Sequence, residues 1–103
     1  MANEREASFL QFIGGFAFQT LVHLGKTPNP ITGELGVDLP NAKYSIDILG
    51  ILQDKTSGNL TPEEDERLSN MLRDLRMEYV NTLKAETEES MSGNDGAAEG
   101  VQE

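Results

Sequence analysis

Apolar positions that recur every three or four residues divide the chain into three helical segments. The first is predicted from about Glu4 to Leu24, because Gly25 is the residue type favoured just past a helix end. The second is predicted to begin after Asp38 as N-cap and to end near residue 58. These segments predict an all-α, three-helix unit.

The third helix has the clearest start in the chain. Thr61 supplies a hydroxyl at the N-cap, Pro62 occupies the first helical position, and Glu64 stands at the third, which together form a capping box. One apolar stripe follows, made of Leu68, Met71, Leu72, Leu75, Tyr79 and Leu83. This pattern is typical of an ordinary amphipathic helix, and we expect it to end near Lys84.

The first helix is apolar around its whole circumference. Its core half is predicted to consist of Phe9, Leu10, Phe12, Ile13, Phe16, Ala17, Leu21 and Leu24. The other half is not polar either, since no charged residue lies between Glu6 and Lys26. A helix without a charged side is normally surrounded by protein, and two neighbouring helices cannot surround it.

We therefore expect a helical-bundle homo-oligomer in which two copies meet across the back of the first helix. The candidate interface consists of Gly14, Gly15, Phe18 and Val22. The glycines lack side chains that would hold another backbone away, and a twofold axis would bury the patch in both copies. The alternative is that Gly14 and Gly15 make room for Tyr44, Tyr79 or a loop within one copy.

A long Pro/Gly loop, residues 25–37, is predicted between the first and second helices. Four residues interrupt any helix or central strand there, namely Pro28, Pro30, Gly33 and Gly36. Connections of about 12 residues or more usually pack on the domain or serve a function. We expect Ile31, Leu35 and Val37 to anchor the loop across the helices. A second interpretation makes Asn29, Thr32 and Leu35 a binding loop for a partner or ligand.

Charge is unevenly distributed along the 103 residues, whose formal net charge is −10. Residues 85–103 hold six acidic residues, no basic residue and few apolar ones. Such a segment buries too little surface to fold. We expect a helical domain at 1–84 and a disordered acidic tail at 85–103. The negative charge argues against nucleic acid as a partner.

The residue types that carry chemistry are sparse. The chain has no cysteine and one histidine, His23, which we expect to be a core or interface residue. No nucleophile elbow, phosphate loop or HExxH metal pair occurs. These observations favour a noncatalytic protein without a cofactor or metal. A small-molecule or metal-binding protein, or an enzyme, with a site at His23 and residues 27–37 remains the alternative.

Residues 7–24 form an uncharged run whose length raises the possibility of membrane association. Gln11, Gln19 and His23 interrupt its apolar character, so we favour a cytoplasmic protein over a membrane-bound one. The first residues include Glu4 and Glu6 and do not follow the pattern of a secretory signal.

Several short motifs occur in a recognisable order: Leu24-Gly25, Asn29-Pro30-Ile31-Thr32-Gly33, Asp38-Leu39, Ala42-Lys43, Ile46-Asp47, Gly58-Asn59-Leu60-Thr61, Leu75-Arg76 and Tyr79-Val80. Together they resemble a bacterial family of small helical proteins defined as a domain of unknown function. The resemblance covers about residues 9–83. It implies a small helical bacterial protein and supplies no activity, cofactor or catalytic residue.

Overall fold

The computed structural model describes residues 7–93, with side chains described as far as residue 88. It contains three helices, α1 (Phe9–His23), α2 (Leu39–Lys55) and α3 (Pro62–Gly93), and no strand in the described part of the chain. The prediction of an all-α protein is confirmed. Each helix contacts the other two, so the helices enclose a shared core.

Each helix begins at a side chain that accepts a hydrogen bond from the first turn. The Ser8 hydroxyl accepts from the Gln11 amide at 3.1 Å, and the Asp38 carboxylate accepts from the Asn41 amide at 3.2 Å. At α3 the bonds are reciprocal: the Glu64 amide donates to the Thr61 hydroxyl at 3.1 Å, and the Thr61 amide donates to the Glu64 carboxylate at 2.9 Å. The predicted caps at Asp38 and Thr61 are confirmed.

Two predicted helix bounds need correction. The helix predicted from Glu4 begins at Phe9, because Ser8 takes the N-cap position, and Glu4 itself lies outside the described residues. α3 continues past Lys84 to Gly93. No glycine or proline interrupts residues 85–92, and the glutamates there are good helix formers, so nothing local stops the helix. Residues 94–103 of the predicted tail lie outside the described residues.

The core is built from large aliphatic side chains of all three helices. Its buried cluster consists of Ile13, Ile46, Leu49, Leu68, Leu72 and Leu75. Tyr79 and several partly buried residues of α1, including Phe9, Phe16 and Leu21, pack against this cluster. The apolar stripe predicted for α3 packs against this cluster as far as Tyr79, whereas its last member, Leu83, is 42% exposed.

α1 ends in a Schellman motif. The Lys26 amide donates to the carbonyl of Leu21 at 2.9 Å, and the Gly25 amide donates to the carbonyl of Val22 at 3.0 Å. Gly25 has a φ of +74°, and a Cβ placed on it would lie 2.9 Å from Cγ2 of Val37. Glycine is therefore required here both for the backbone angle and for the close approach of the returning chain.

Residues 24–38 connect α1 to α2 and are tied down at their two ends. Leu24 and Val37 form an isolated antiparallel bridge, and the Asp38 amide donates to the His23 carbonyl at 2.7 Å. The expectation that Ile31 and Leu35 anchor this segment is wrong, because both are exposed, Ile31 to 91%. The middle of the segment satisfies its own hydrogen bonds and needs no apolar anchor.

We expect Leu49→Ala to lower the free energy of unfolding by about 2–5 kcal/mol, because Leu49 is fully buried among the three helices. Ile51→Ala is the matched control on the same helix, since Ile51 is 55% exposed. Its cost should stay below about 1 kcal/mol in the isolated chain. Urea unfolding followed by circular dichroism measures both, and equal losses would contradict the assigned core.

Alanine substitutions at three glycines test the closure of the connecting segment. Gly36→Ala should not destabilise the fold, since its Cβ would meet nothing within 4 Å. Gly33→Ala should cost about 1–2 kcal/mol for its positive φ alone. Gly25→Ala should cost more than Gly33→Ala, because it adds the contact with Val37 to the same strain. Thermal unfolding gives the order, and a Gly25→Ala variant as stable as Gly36→Ala would disprove the close approach.

Candidate interaction surface on the first helix

The side of α1 turned away from the core forms a continuous surface, which we call the α1 outer face. It consists of Gln11, Phe12, Gly15, Phe18, Gln19 and Val22. Phe12 is 54% exposed and Phe18 is 47% exposed. No member of the face carries a charge, so the surface combines exposed aromatic rings, neutral amides and bare backbone.

Three of the four residues predicted as an oligomer interface lie on this face. Gly15 and Phe18 are exposed and Val22 is half-buried, whereas Gly14 lies to the side and is half-buried. Within the described part of the chain, a Cβ built on Gly14 or Gly15 would meet nothing within 4 Å. The two glycines therefore do not make room for a tyrosine or a loop of the same copy, and that alternative is excluded.

Phe12 was expected in the core half of α1, and that expectation is wrong. The fully buried side of α1 is a narrow line through Ile13, Thr20 and the following Leu24. Phe12 lies on the α1 outer face, and its ring packs edge-on against that of Phe16, with ring centroids 5.5 Å apart. Helical periodicity predicts only roughly which half of α1 is buried, because it does not give the width of the side that the neighbouring helices cover.

A groove runs along the second half of the α1 outer face. It has a volume of about 320 Å³ and lies between α1 and the connecting segment, with Phe18 and Val22 on one side and Pro30 and Ile31 on the other. The exposure of Ile31 places an apolar side chain at the rim of this groove. No local pattern in the sequence predicts the groove, because it depends on how residues 29–31 lie beside the helix.

A second cleft, of about 290 Å³, adjoins the groove and brings together the residues of the predicted binding loop. Asn29, Thr32 and Leu35 line it with His23. The Asn29 side-chain oxygen accepts hydrogen bonds from the amides of Ile31 at 2.7 Å and Thr32 at 3.3 Å. The Thr32 hydroxyl accepts from the Glu34 amide at 3.2 Å. Both acceptors therefore hold the loop together.

Asp38 forms the floor of this cleft next to the start of α2. The hydrogen bond from the Asn41 backbone amide lowers the pKa of the Asp38 carboxyl below its ordinary value of 3.8. The Asn41 side-chain amide, which donates to the same carboxylate at 2.7 Å, lowers this pKa further, and the charge of His23 adds a smaller effect. Over the residues that the structure describes, no three His, Cys, Asp or Glu side chains converge as metal ligands.

Other exposed apolar side chains lie on α2 and α3, including Tyr44, Ile51, Met77 and Val80. They are interspersed with charge: Lys43 and Asp47 form an ion pair at 2.8 Å, and Asp54, Lys55 and Arg76 line a shallow depression beside Ile51. Covering this surface would also desolvate charged groups, which is costly. The α1 outer face is therefore the better candidate for an interface.

Comparison with known families shows which family the chain resembles. A family model described as a domain of unknown function, DUF1844, matches residues 6–81. No curated protein and no solved structure matches the chain. The matched segment includes α1, the connecting segment, α2 and most of α3. A search of the described helices for one long and apolar enough to cross a membrane finds none.

The lowered pKa of Asp38 predicts a pH dependence of folding. A carboxyl whose pKa is lower in the folded state stabilises the fold above its unfolded pKa, and this stabilisation is lost as the pH falls through the folded pKa. Asp38→Asn keeps an effective N-cap but cannot titrate. Between about pH 5 and pH 3, wild type should therefore lose more stability than the variant in urea unfolding. Equal losses of stability in wild type and Asp38→Asn would show that the N-cap hydrogen bonds do not favour the ionised form of Asp38.

Proposed function

The chain belongs to the DUF1844 family, and from the α1 outer face we propose that it is a noncatalytic assembly protein that binds a second copy of itself through α1. The observation that carries the proposal is a pair of half-exposed phenylalanines on a helix face without any charge. The bacterial origin and the cytoplasmic location expected from the sequence are parts of the same proposal.

The exposed aromatic area supplies a large part of the free energy that association needs. Aromatic side chains have about 150–250 Å² to bury, so half-exposed Phe12 and Phe18 leave about 100 Å² each in water. Covering both rings in two copies would contribute about 10 kcal/mol before any cost. Association itself costs about 4–15 kcal/mol, so neighbouring contacts must add to the rings. A moderate affinity follows, of the kind expected for a concentration-dependent dimer.

The charge distribution of the chain permits self-association through the α1 outer face and through few other surfaces. A chain of net charge −10 repels its copies, and the repulsion is strongest where acidic residues face one another. The stretch from residue 7 to residue 25 contains no acidic residue. Nearby Lys26 is held against Glu78 at 3.4 Å, which partly neutralises the edge of the surface.

The small core supports the same conclusion. Among residues 7–88, the buried apolar cluster contains six side chains, and the chain has no cysteine that could form a disulfide. Small domains of this kind commonly gain stability from oligomerisation. Covering the α1 outer face would enlarge the apolar core without changing the helices that form it.

The cleft at His23 supports small-molecule binding less well. Asn29 and Thr32 direct their acceptor oxygens to backbone amides of their own loop. Leu35 is exposed at the side of the cleft. These contacts explain why the loop contains such residues without any ligand, so the interaction surface remains the proposed site.

Phe18→Asp should dissociate the assembly, because it places a charge in the apolar contact. Because a twofold pair contains the substitution twice, we expect the dissociation constant to rise at least about a thousandfold. Tyr44→Asp is the matched control, since Tyr44 is an aromatic residue of α2 with 66% exposure. At a protein concentration of about 100 µM, nearly all chains are paired if the interface has micromolar affinity, and light scattering measures the mass. Wild type and Tyr44→Asp should then have twice the 11.3 kDa chain mass, and Phe18→Asp should have the mass of one chain.

Circular dichroism must show the same helix content for all three proteins, so that a change of mass reports association. A wild type that keeps the mass of one chain at this concentration would overturn the proposal. If Phe18→Asp and Tyr44→Asp dissociated the assembly equally, the interface would not be on α1.

A further inference from the structure

A second surface of the molecule lies between α2 and α3. Its centre is a shallow depression of about 680 Å³, which we call the α2/α3 depression. Exposed apolar side chains extend it along both helices, because Tyr44 lies seven residues before Ile51 on α2 and Val80 lies four residues after Arg76 on α3. The residues that line it are Asp47, Gly50, Ile51, Asp54 and Lys55 of α2 and Arg76 of α3.

The two helices run antiparallel beside this depression. The Gln53 side-chain amide donates to the Ser69 hydroxyl at 3.2 Å, and Gly50 lies next to Arg76. The residue number therefore falls along α2 as it rises along α3. Two helices that lie side by side leave a groove between them, and an amphipathic helix of a second molecule can bind in such a groove.

Gly50 brings the guanidinium of Arg76 into the depression. A Cβ built on Gly50 would lie 3.1 Å from Nη2 of Arg76, so the guanidinium lies against α2 where that helix has no side chain. A glycine inside a helix lowers the stability of the helix relative to alanine. At this position the glycine leaves space for a charged group that the methyl group of alanine would displace.

Arg76 has no ionic partner among the side chains that the structure describes. It forms no ion pair with Asp47 or Asp54, although all three residues line the depression. Asp47 is paired with Lys43 at 2.8 Å instead. Arg76 is exposed, and its planar guanidinium has five N–H donors. Such a group binds a carboxylate through two parallel hydrogen bonds.

The depression has a positive surplus in a chain whose net charge is −10. Because Lys43 neutralises Asp47, the charges that remain are those of Lys55 and Arg76 against that of Asp54. At physiological salt, charges more than about 8 Å apart are largely screened from each other. A molecule bound in the depression therefore meets mainly this local charge.

We propose that the α2/α3 depression binds an amphipathic helix of another protein, whose apolar side covers Ile51 and Val80 and whose acidic edge pairs with Arg76. This inference goes beyond the proposed self-association and does not depend on it. Tyrosine, methionine and arginine are enriched in protein interfaces, and the surface presents Tyr44, Met77 and Arg76 in exposed positions.

A second copy of the chain is a poor occupant of this surface. A twofold contact uses the same patch on both copies, so it would bring two unpaired Arg76 side chains into one interface. An acidic partner offsets the cost of removing Arg76 from water, whereas a second copy does not. The depression shares no residue with the α1 outer face, so copies paired through α1 leave it open.

Two labelled peptides test the proposal. Both are helical, about 18 residues long, with the same leucine stripe; one has glutamates along the edge of the stripe and the other has lysines. Fluorescence anisotropy at about 150 mM salt measures their affinities for the full chain. We expect the glutamate peptide to bind at least about fivefold more tightly.

The sign of this preference is informative, because the net charge of −10 would favour the lysine peptide if the charge of the whole chain decided binding. Tighter binding of the lysine peptide, or equal binding of both peptides, would overturn the inference.

Two substitutions that change the net charge equally locate the contact. Arg76→Gln should raise the dissociation constant of the glutamate peptide at least about fivefold. Arg67→Gln is the matched control on α3, because Arg67 is exposed and lies outside the depression, paired with Glu63 at 3.5 Å. Its dissociation constant should stay within about twofold of wild type. Equal effects of the two substitutions would contradict a contact at Arg76.

Gly50→Ala separates binding from stability. The substitution should raise the midpoint of thermal unfolding, because alanine is the better helix former and the flexible end of Arg76 can move away from the new methyl group. It should also weaken binding of the glutamate peptide, because the guanidinium is displaced from the depression. A more stable variant that binds the peptide as tightly as wild type would overturn the inference.

Phe18→Asp distinguishes this inference from the proposed function. A leucine stripe could also bind the α1 outer face, so the glutamate peptide is measured on this variant, and we expect its affinity to be unchanged. Loss of peptide binding at unchanged helix content would place the peptide on α1 and overturn the inference, while the proposed function would stand. A wild type that is monomeric but prefers the glutamate peptide would remove the proposed function and leave this inference standing.

Discussion

The structure depends on one constraint, which is the mismatch between the apolar circumference of α1 and the part of it that α2 and α3 can cover. Two neighbouring helices bury the line of Ile13, Thr20 and Leu24 and half-bury the residues beside it. The remaining side of α1 stays in contact with water although it has no charged residue. The outer side of α3 also exposes Met77 and Val80, but charged residues lie among them.

The segment that follows α1 leaves still more apolar surface uncovered. The Schellman motif at Gly25 turns the chain back along the helix, and the bridge between Leu24 and Val37 holds the returning end. The middle of the connecting segment forms its own turn around Asn29 and stands beside α1 without covering it. Ile31 therefore stays exposed at the edge of a groove. The connecting segment adds to the exposed apolar surface beside α1 instead of covering it.

Local signals in the sequence predicted the starts of α2 and α3 well, because an N-cap depends on residues that are three positions apart. The bonds of Asp38 to Asn41 and of Thr61 with Glu64 are of this kind. The acidic composition after Lys84 does not predict the extension of α3 to Gly93, which follows from the absence of a glycine or proline before Gly93. The positions of Phe12 and Ile31 could not be predicted from spacing, because they depend on how much of a helix its neighbours cover.

The most direct test of the account is an isotope-filtered NOE experiment on the unmodified chain. All four phenylalanines lie in α1, so ring labels report on that helix alone. In an equimolar mixture of ring-labelled and unlabelled chains, the account predicts NOEs between phenylalanine rings of one copy and α1 residues of the other. Samples in which the rings show only contacts within their own copy, or in which contacts between copies involve Tyr44 and Ile51 instead, would contradict it.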